Sequence, residues 1–93
     1  MFEKDIKELR DAIDTLDKDL LKNVSNRMQL VKKVGALKKK NNVEVLQTNR
    51  WQQLLDSRMS WSKEMEMSPE EIKAVFETLH TISVNRQKDI IKE

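Results

Sequence analysis

Residues 9–42 read LRDAIDTLDKDLLKNVSNRMQLVKKVGALKKKNN, with apolar side chains at Leu9, Ile13, Leu16, Leu20, Leu30, Val34 and Leu37. Steps of three and four mark one face of an α-helix. A second row, Leu21, Val24, Met28 and Val31, widens that stripe. The spacing predicts a first helix from about residue 5 to about residue 40, roughly 54 Å long at 1.5 Å per residue. A compact domain of this size is only about 25–30 Å across. The apolar seam therefore cannot all be buried inside one globule. Self-association is the expected remedy, most often with twofold symmetry. A plain coiled coil is the alternative, but Asn23 and Arg27 put polar groups four residues apart on the seam and would weaken it there. Lys38, Lys39 and Lys40 suit the negative end of the helix dipole, and Asn41-Asn42 suits its end. Gly35 costs a helix interior about 1 kcal/mol relative to Ala, so it is expected where another element comes close.

The rest of the chain reads as two shorter helices. The second spans about residues 45–62, with Leu46, Leu54, Leu55 and Met59 apolar. The third opens at Ser68-Pro69-Glu70-Glu71, which supplies an N-cap, a first-turn proline and a capping-box glutamate. Its core row is Ile72, Val75, Phe76, Leu79, Ile82 and on to Ile90. With one Gly and one Pro in 93 residues, 37% charged and 4% aromatic, few long helices are favoured over strands and turns. The expected fold is all-α, a three-helix protomer in a single domain, 1–93, that pairs as a helical homodimer.

Composition also excludes. No run of eighteen apolar residues exists to span a membrane. The segment MFEKDIKELR lacks the apolar core of a secretion signal, so a cytoplasmic protein is expected. Without cysteine there is no disulfide framework, thiolate metal site or thiol nucleophile. A single histidine, His80, does not make a histidine metal site. A net charge of +2 is too balanced to announce nucleic-acid binding.

The cations on the seam carry the chemistry. Arg27 and Lys38 lie eleven residues, or three turns, apart, so they project within about 20° of each other and roughly 16 Å apart along the axis. A cation held against apolar surface needs a partner or a ligand. An internal salt bridge to Asp or Glu is one reading. The alternative is an anion site, because polar groups also stand where core residues are expected elsewhere. Gln47 and Arg50 are one turn apart in the second helix, and Ser83 and Gln87 share a face of the third with Phe76. Arg27, Lys38, Arg50, Ser83 and Gln87 would form a cationic pocket suited to a small polyanion, with arginine forks gripping carboxylates. Neither a nucleophile beside a base nor a Gly-rich phosphate loop accompanies them. An enzyme of this kind would work by positioning and electrostatics.

In order along the chain, L-R-x-x-I-D-x-L-D-x-x-L-L (Leu9 to Leu21), R-M-x-L-V-x-x-V-G-x-x-K (Arg27 to Lys38), R-W-x-x-L-L, S-P-E-E-I and I-S-V-x-x-Q (Ile82 to Gln87) resemble the all-helical (AroQ) class of chorismate mutases. The likeness covers about residues 5 to 90. It implies an intertwined homodimer that rearranges chorismate to prephenate on the route to Phe and Tyr, without a cofactor. It assigns Arg27, and Arg10 from the partner subunit, to the substrate carboxylates. Lys38 and Gln87 would donate to the ether oxygen, and Arg50 and Ser83 would complete the anion-binding wall. The spacing agrees with a partner role for Arg10, which lies 28 residues and about 42 Å from Lys38 along one helix. Better-known members carry acids, which hold the substrate hydroxyl, where this chain has Gln47 and Trp51. Gln47 keeps a hydrogen-bond acceptor and Trp51 does not. The same fold also serves isochorismate-pyruvate lyases, but Ser83 and the V-G-x-x-K run resemble the mutases. Such mutases are often fused to other enzymes of the pathway. Trp51 and Trp61 are expected as core or interface anchors and His80 as structural or exposed. The run KKVGALKKK leaves a helical nucleic-acid-binding or protein-binding module as the reading from a different class.

Overall fold

The computed structural model describes residues 1–93 and contains four helices and no strand. They are α1 (Phe2–Asn41), α2 (Thr48–Met59), the single turn α3 (Ser62–Met65) and α4 (Pro69–Lys92). Helix α1 runs past both expected ends. Glu3 and Asp5 favour its start and Lys38 to Lys40 its finish, and Asn42 stops it in the left-handed conformation with φ 54°. The second helix is shorter than its apolar pattern suggests. It begins at Thr48 and ends at Met59, and the chain then makes the separate turn α3 before Glu66, also left-handed at φ 53°, reverses it. Polar Asn and Glu adopting that conformation mark true stops, because it is costly for most side chains.

The start of α4 matches its sequence signature. Ser68 Oγ accepts from the Glu71 amide at 3.1 Å, and the Ser68 amide donates to Glu71 Oε1 at 2.8 Å. The Ser68 amide and, after it, the Ser68 hydroxyl bond to the Glu71 carboxyl and hold it below its ordinary range. Pro69 then occupies the first turn, where its missing N–H is no loss.

Two compact units divide the chain, Met1–Leu30 and Val31–Glu93. The first is the leading three-quarters of α1. Its apolar row is exposed: Leu9 at 62%, Ile13 at 54%, Leu16 at 66% and Leu20 at 57%. Met28 alone is fully buried there. In the second unit α2 packs on α4, and Leu55, Ile72 and Val84 are buried between their turns. Of the expected α4 row, Ile72 is buried, Phe76, Leu79 and Ile90 are half-buried, and Val75 and Ile82 face outward. Ser83 and Gln87 are buried among these apolar neighbours. No helix is long and apolar enough to cross a membrane.

Candidate active site

The last turns of α1 meet α4 at Gly35. A Cβ added there would lie 3.3 Å from both Cα and Cγ of Gln87. That is tighter than ordinary van der Waals contact, so the absence of a side chain is what allows the two helices to approach. The expected close approach is thus found, and its partner is a polar residue of the site. One turn beyond Gly35, Lys38 Nζ donates to Gln87 Oε1 at 2.8 Å and to the Val45 carbonyl oxygen at 2.8 Å. Gln87 Nε2 donates in turn to the Ser83 carbonyl at 3.4 Å, and Ser83 Oγ to the Leu79 carbonyl at 2.8 Å. No buried side-chain nitrogen or oxygen lacks a partner.

The chain of bonds fixes the chemistry of its members. Both oxygens that Lys38 meets are neutral, so these bonds hold its ammonium without a carboxylate, and burial lowers its pKa from the ordinary lysine value. Because Lys38 occupies Oε1, the Gln87 amide nitrogen is turned the other way. An ammonium has three N–H groups and an amide two. Two are used at Lys38 and one at Gln87, which leaves one donor on each for an incoming oxygen. Two donors side by side, one charged and partly desolvated, would stabilise negative charge developing on one atom.

The remaining predicted residues are placed separately. Gln47 and Arg50, both exposed, line an open hollow of about 570 Å³ with Thr48, Asn49 and Gln53 at the start of α2. Gln47 is the N-cap of α2, but its side chain makes no capping bond. In the first unit Arg10 is exposed and Arg27 half-buried. The fold thus brings Lys38, Gln87 and Ser83 together by hydrogen bonds, and Gln47 and Arg50 together around a hollow.

Two contacts were not anticipated from the sequence. Val45 enters through its carbonyl, which no side-chain pattern signals. His80 stacks on Trp51, with ring centroids 4.0 Å apart and planes 19° from parallel. Its signal was available: His80, Ser83 and Gln87 recur at i, i+3 and i+7, one stripe of a helix. Trp61 instead stands partly exposed beside Arg58, whose guanidinium carbon lies 5.0 Å from its ring centre and 5.9 Å from that of Phe76.

The family described as chorismate mutase type II matches residues 9–88 of the chain. The bifunctional chorismate mutase/prephenate dehydratase of Aquifex aeolicus (strain VF5) is 29% identical over 62 residues, 67% of this chain. The match spans 17% of that protein's length.

Proposed function

We propose that this chain, which belongs to the chorismate mutase type II family, rearranges chorismate to prephenate by holding the substrate in a reactive conformation and stabilising its transition state electrostatically. The Lys38–Gln87 pair carries this reading. In the rearrangement the ether C–O bond breaks as a C–C bond forms, and nothing leaves the molecule. Negative charge gathers on the ether oxygen, and the remaining N–H groups of Lys38 and Gln87 are suited to it. Arg27, together with Arg10 of a second copy, takes the two carboxylates, Arg50 completes the anion-binding wall with Ser83, whose hydroxyl must turn from the Leu79 carbonyl to do so, and Gln47 accepts from the substrate hydroxyl. The remaining work is positioning, which alone lowers the barrier of a unimolecular rearrangement.

The second copy is supported by the first unit. Leu9, Ile13, Leu16 and Leu20 form an exposed apolar row on one helix, and pairing two such rows in an intertwined homodimer removes them from water. A fused pathway enzyme is suggested by the bifunctional name of the relative, of which this chain matches so small a share. A cytoplasmic setting fits biosynthesis of Phe and Tyr. The test is loss of chorismate absorbance with the purified chain, followed by product identification. Prephenate supports the reading. Pyruvate release from isochorismate without mutase turnover would replace it with a lyase, and no turnover of either would overturn it.

A further inference from the structure

The bonds linking Lys38, Gln87 and Ser83 lie toward the C-terminal end of α4, whereas the stacked rings of Trp51 and His80 lie at the other end of the same stripe. His80 precedes Gln87 by seven residues, so the two project within about 20° of each other and about 10.5 Å apart along the helix. Ser83 lies between them with its hydroxyl committed to the Leu79 carbonyl. Trp51 directly follows Arg50 in the first turn of α2, and Leu55, one turn further on, is buried while Trp51 is only half-buried. It therefore sits where the packed stripe of α2 comes out to solvent. An indole used only as a core anchor would be expected further in, where Leu55 is. A stack at 4.0 Å covers one face of the indole and fixes its orientation, while the half-burial of Trp51 leaves part of its surface to solvent.

We propose that Trp51 packs directly against the unsaturated ring of the substrate, and that His80 is a positioning residue that holds the indole in place by stacking on its other side. This rests on the mutase reading and extends it, since the groups assigned so far grip only the carboxylates, the hydroxyl and the ether oxygen. Phe76, the other aromatic on this face, instead has the Arg58 guanidinium over its ring at 5.9 Å. Contact between Trp51 and the substrate ring is made equally in the ground state and the transition state, so its loss raises KM more than it lowers kcat.

Two experiments decide it. With chorismate as substrate, Trp51→Ala and His80→Ala should each raise KM by about tenfold with kcat changed by less than about threefold, the scale of losing one well-placed aromatic contact. Trp51→Phe and His80→Phe, which keep flat rings, should restore most of it. A lowered melting temperature with KM unchanged would reduce the pair to a structural anchor and overturn the proposal. In case the alanine variants do not fold, Trp61→Phe leaves Trp51 as the sole tryptophan of an otherwise intact chain. Its fluorescence should then respond to prephenate, reaching half its full change at the concentration that half-inhibits turnover at low substrate. Turnover with a silent Trp51 would overturn this inference alone. Absence of turnover would remove the mutase reading and this inference with it.

Discussion

The two units of the chain invert the usual placement of residues, each in its own way. In residues 1–30, leucines and an isoleucine that should be inside stand in solvent, with Leu16 66% exposed. In residues 31–93, a serine and a glutamine that should be outside are each only 7% exposed. An exposed apolar residue is common and says little by itself. A continuous row of them on one long helix is the surface that the proposed pairing with a second copy would cover. A buried amide costs free energy unless bonded, and here a lysine bonds it. In the proposed function the first inversion serves assembly, and the second serves chemistry.

The comparison would break most decisively at Lys38. Lys38→Ala should lower kcat/KM by 10²–10³-fold, the typical loss for one donor to a developing oxyanion. Lys39→Ala and Lys40→Ala should change it by less than about twofold, because Lys39 reaches only the Ile90 carbonyl at 3.4 Å and both side chains are exposed. Equal small effects from all three lysines would reduce the run to a solvated helix end. Because burial lowers the Lys38 pKa, its proton is lost from the free enzyme more readily than from an exposed lysine. The alkaline fall in kcat/KM should then come below the ordinary lysine value near 10.5, with no limb from pH 5 to 8.

Mixing links the two units. If Arg10 serves the partner's site, Arg10→Ala and Lys38→Ala dimers are both nearly inactive. Unfolded together and refolded as an equal mixture, about half the dimers are mixed and each holds one complete site. Activity should return to roughly a quarter of wild type. No recovery, with mixed dimers confirmed by mass spectrometry, would sink the shared site.

Gly35→Ala probes the close approach more gently. The added carbon would meet Gln87 Cα at 3.3 Å, and that backbone must give by a few tenths of an ångström. Since a 1 Å misplacement costs about 10²-fold, about a tenfold loss of kcat is expected, with KM for chorismate nearly unchanged. The smallest effect belongs to Ser68→Ala, which removes the cap of α4 and should cost about 1 kcal/mol in denaturant melts while leaving kcat/KM intact. The Glu71 carboxyl is held below its ordinary value, so its share of the cap is present above that value and fades as pH falls through the lowered one. The backbone amide of residue 68 still donates to Glu71 in Ser68→Ala, so the stability gap to wild type should narrow in acid only by the hydroxyl's part.

Much of this was legible in one dimension because it is local. The seam of α1 follows from apolar spacing, its end from three lysines and two asparagines, and the start of α4 from four consecutive residues, Ser68 to Glu71. Helix periodicity also put Ser83 and Gln87 on one face before any contact was known. What spacing misjudged was the second helix, expected over about 45–62. Apolar periodicity continues through Leu46 and Trp61, but the Val45 carbonyl is held by Lys38, and the helix is capped at Ser60, whose amide bonds to the Asp56 carbonyl while that of Trp61 bonds to the Arg58 carbonyl.

The sequence by itself determined which segments coil, which faces are apolar and which residue types could bind an anion, since these depend on neighbours within a turn or two. Tertiary packing decided the rest. That Gly35 lies against Gln87, that Lys38 turns the Gln87 amide, and that His80 lies flat on Trp51 all depend on residues 29 to 52 positions apart meeting in space. No local rule specifies such pairs, because they form only when the helices have already packed.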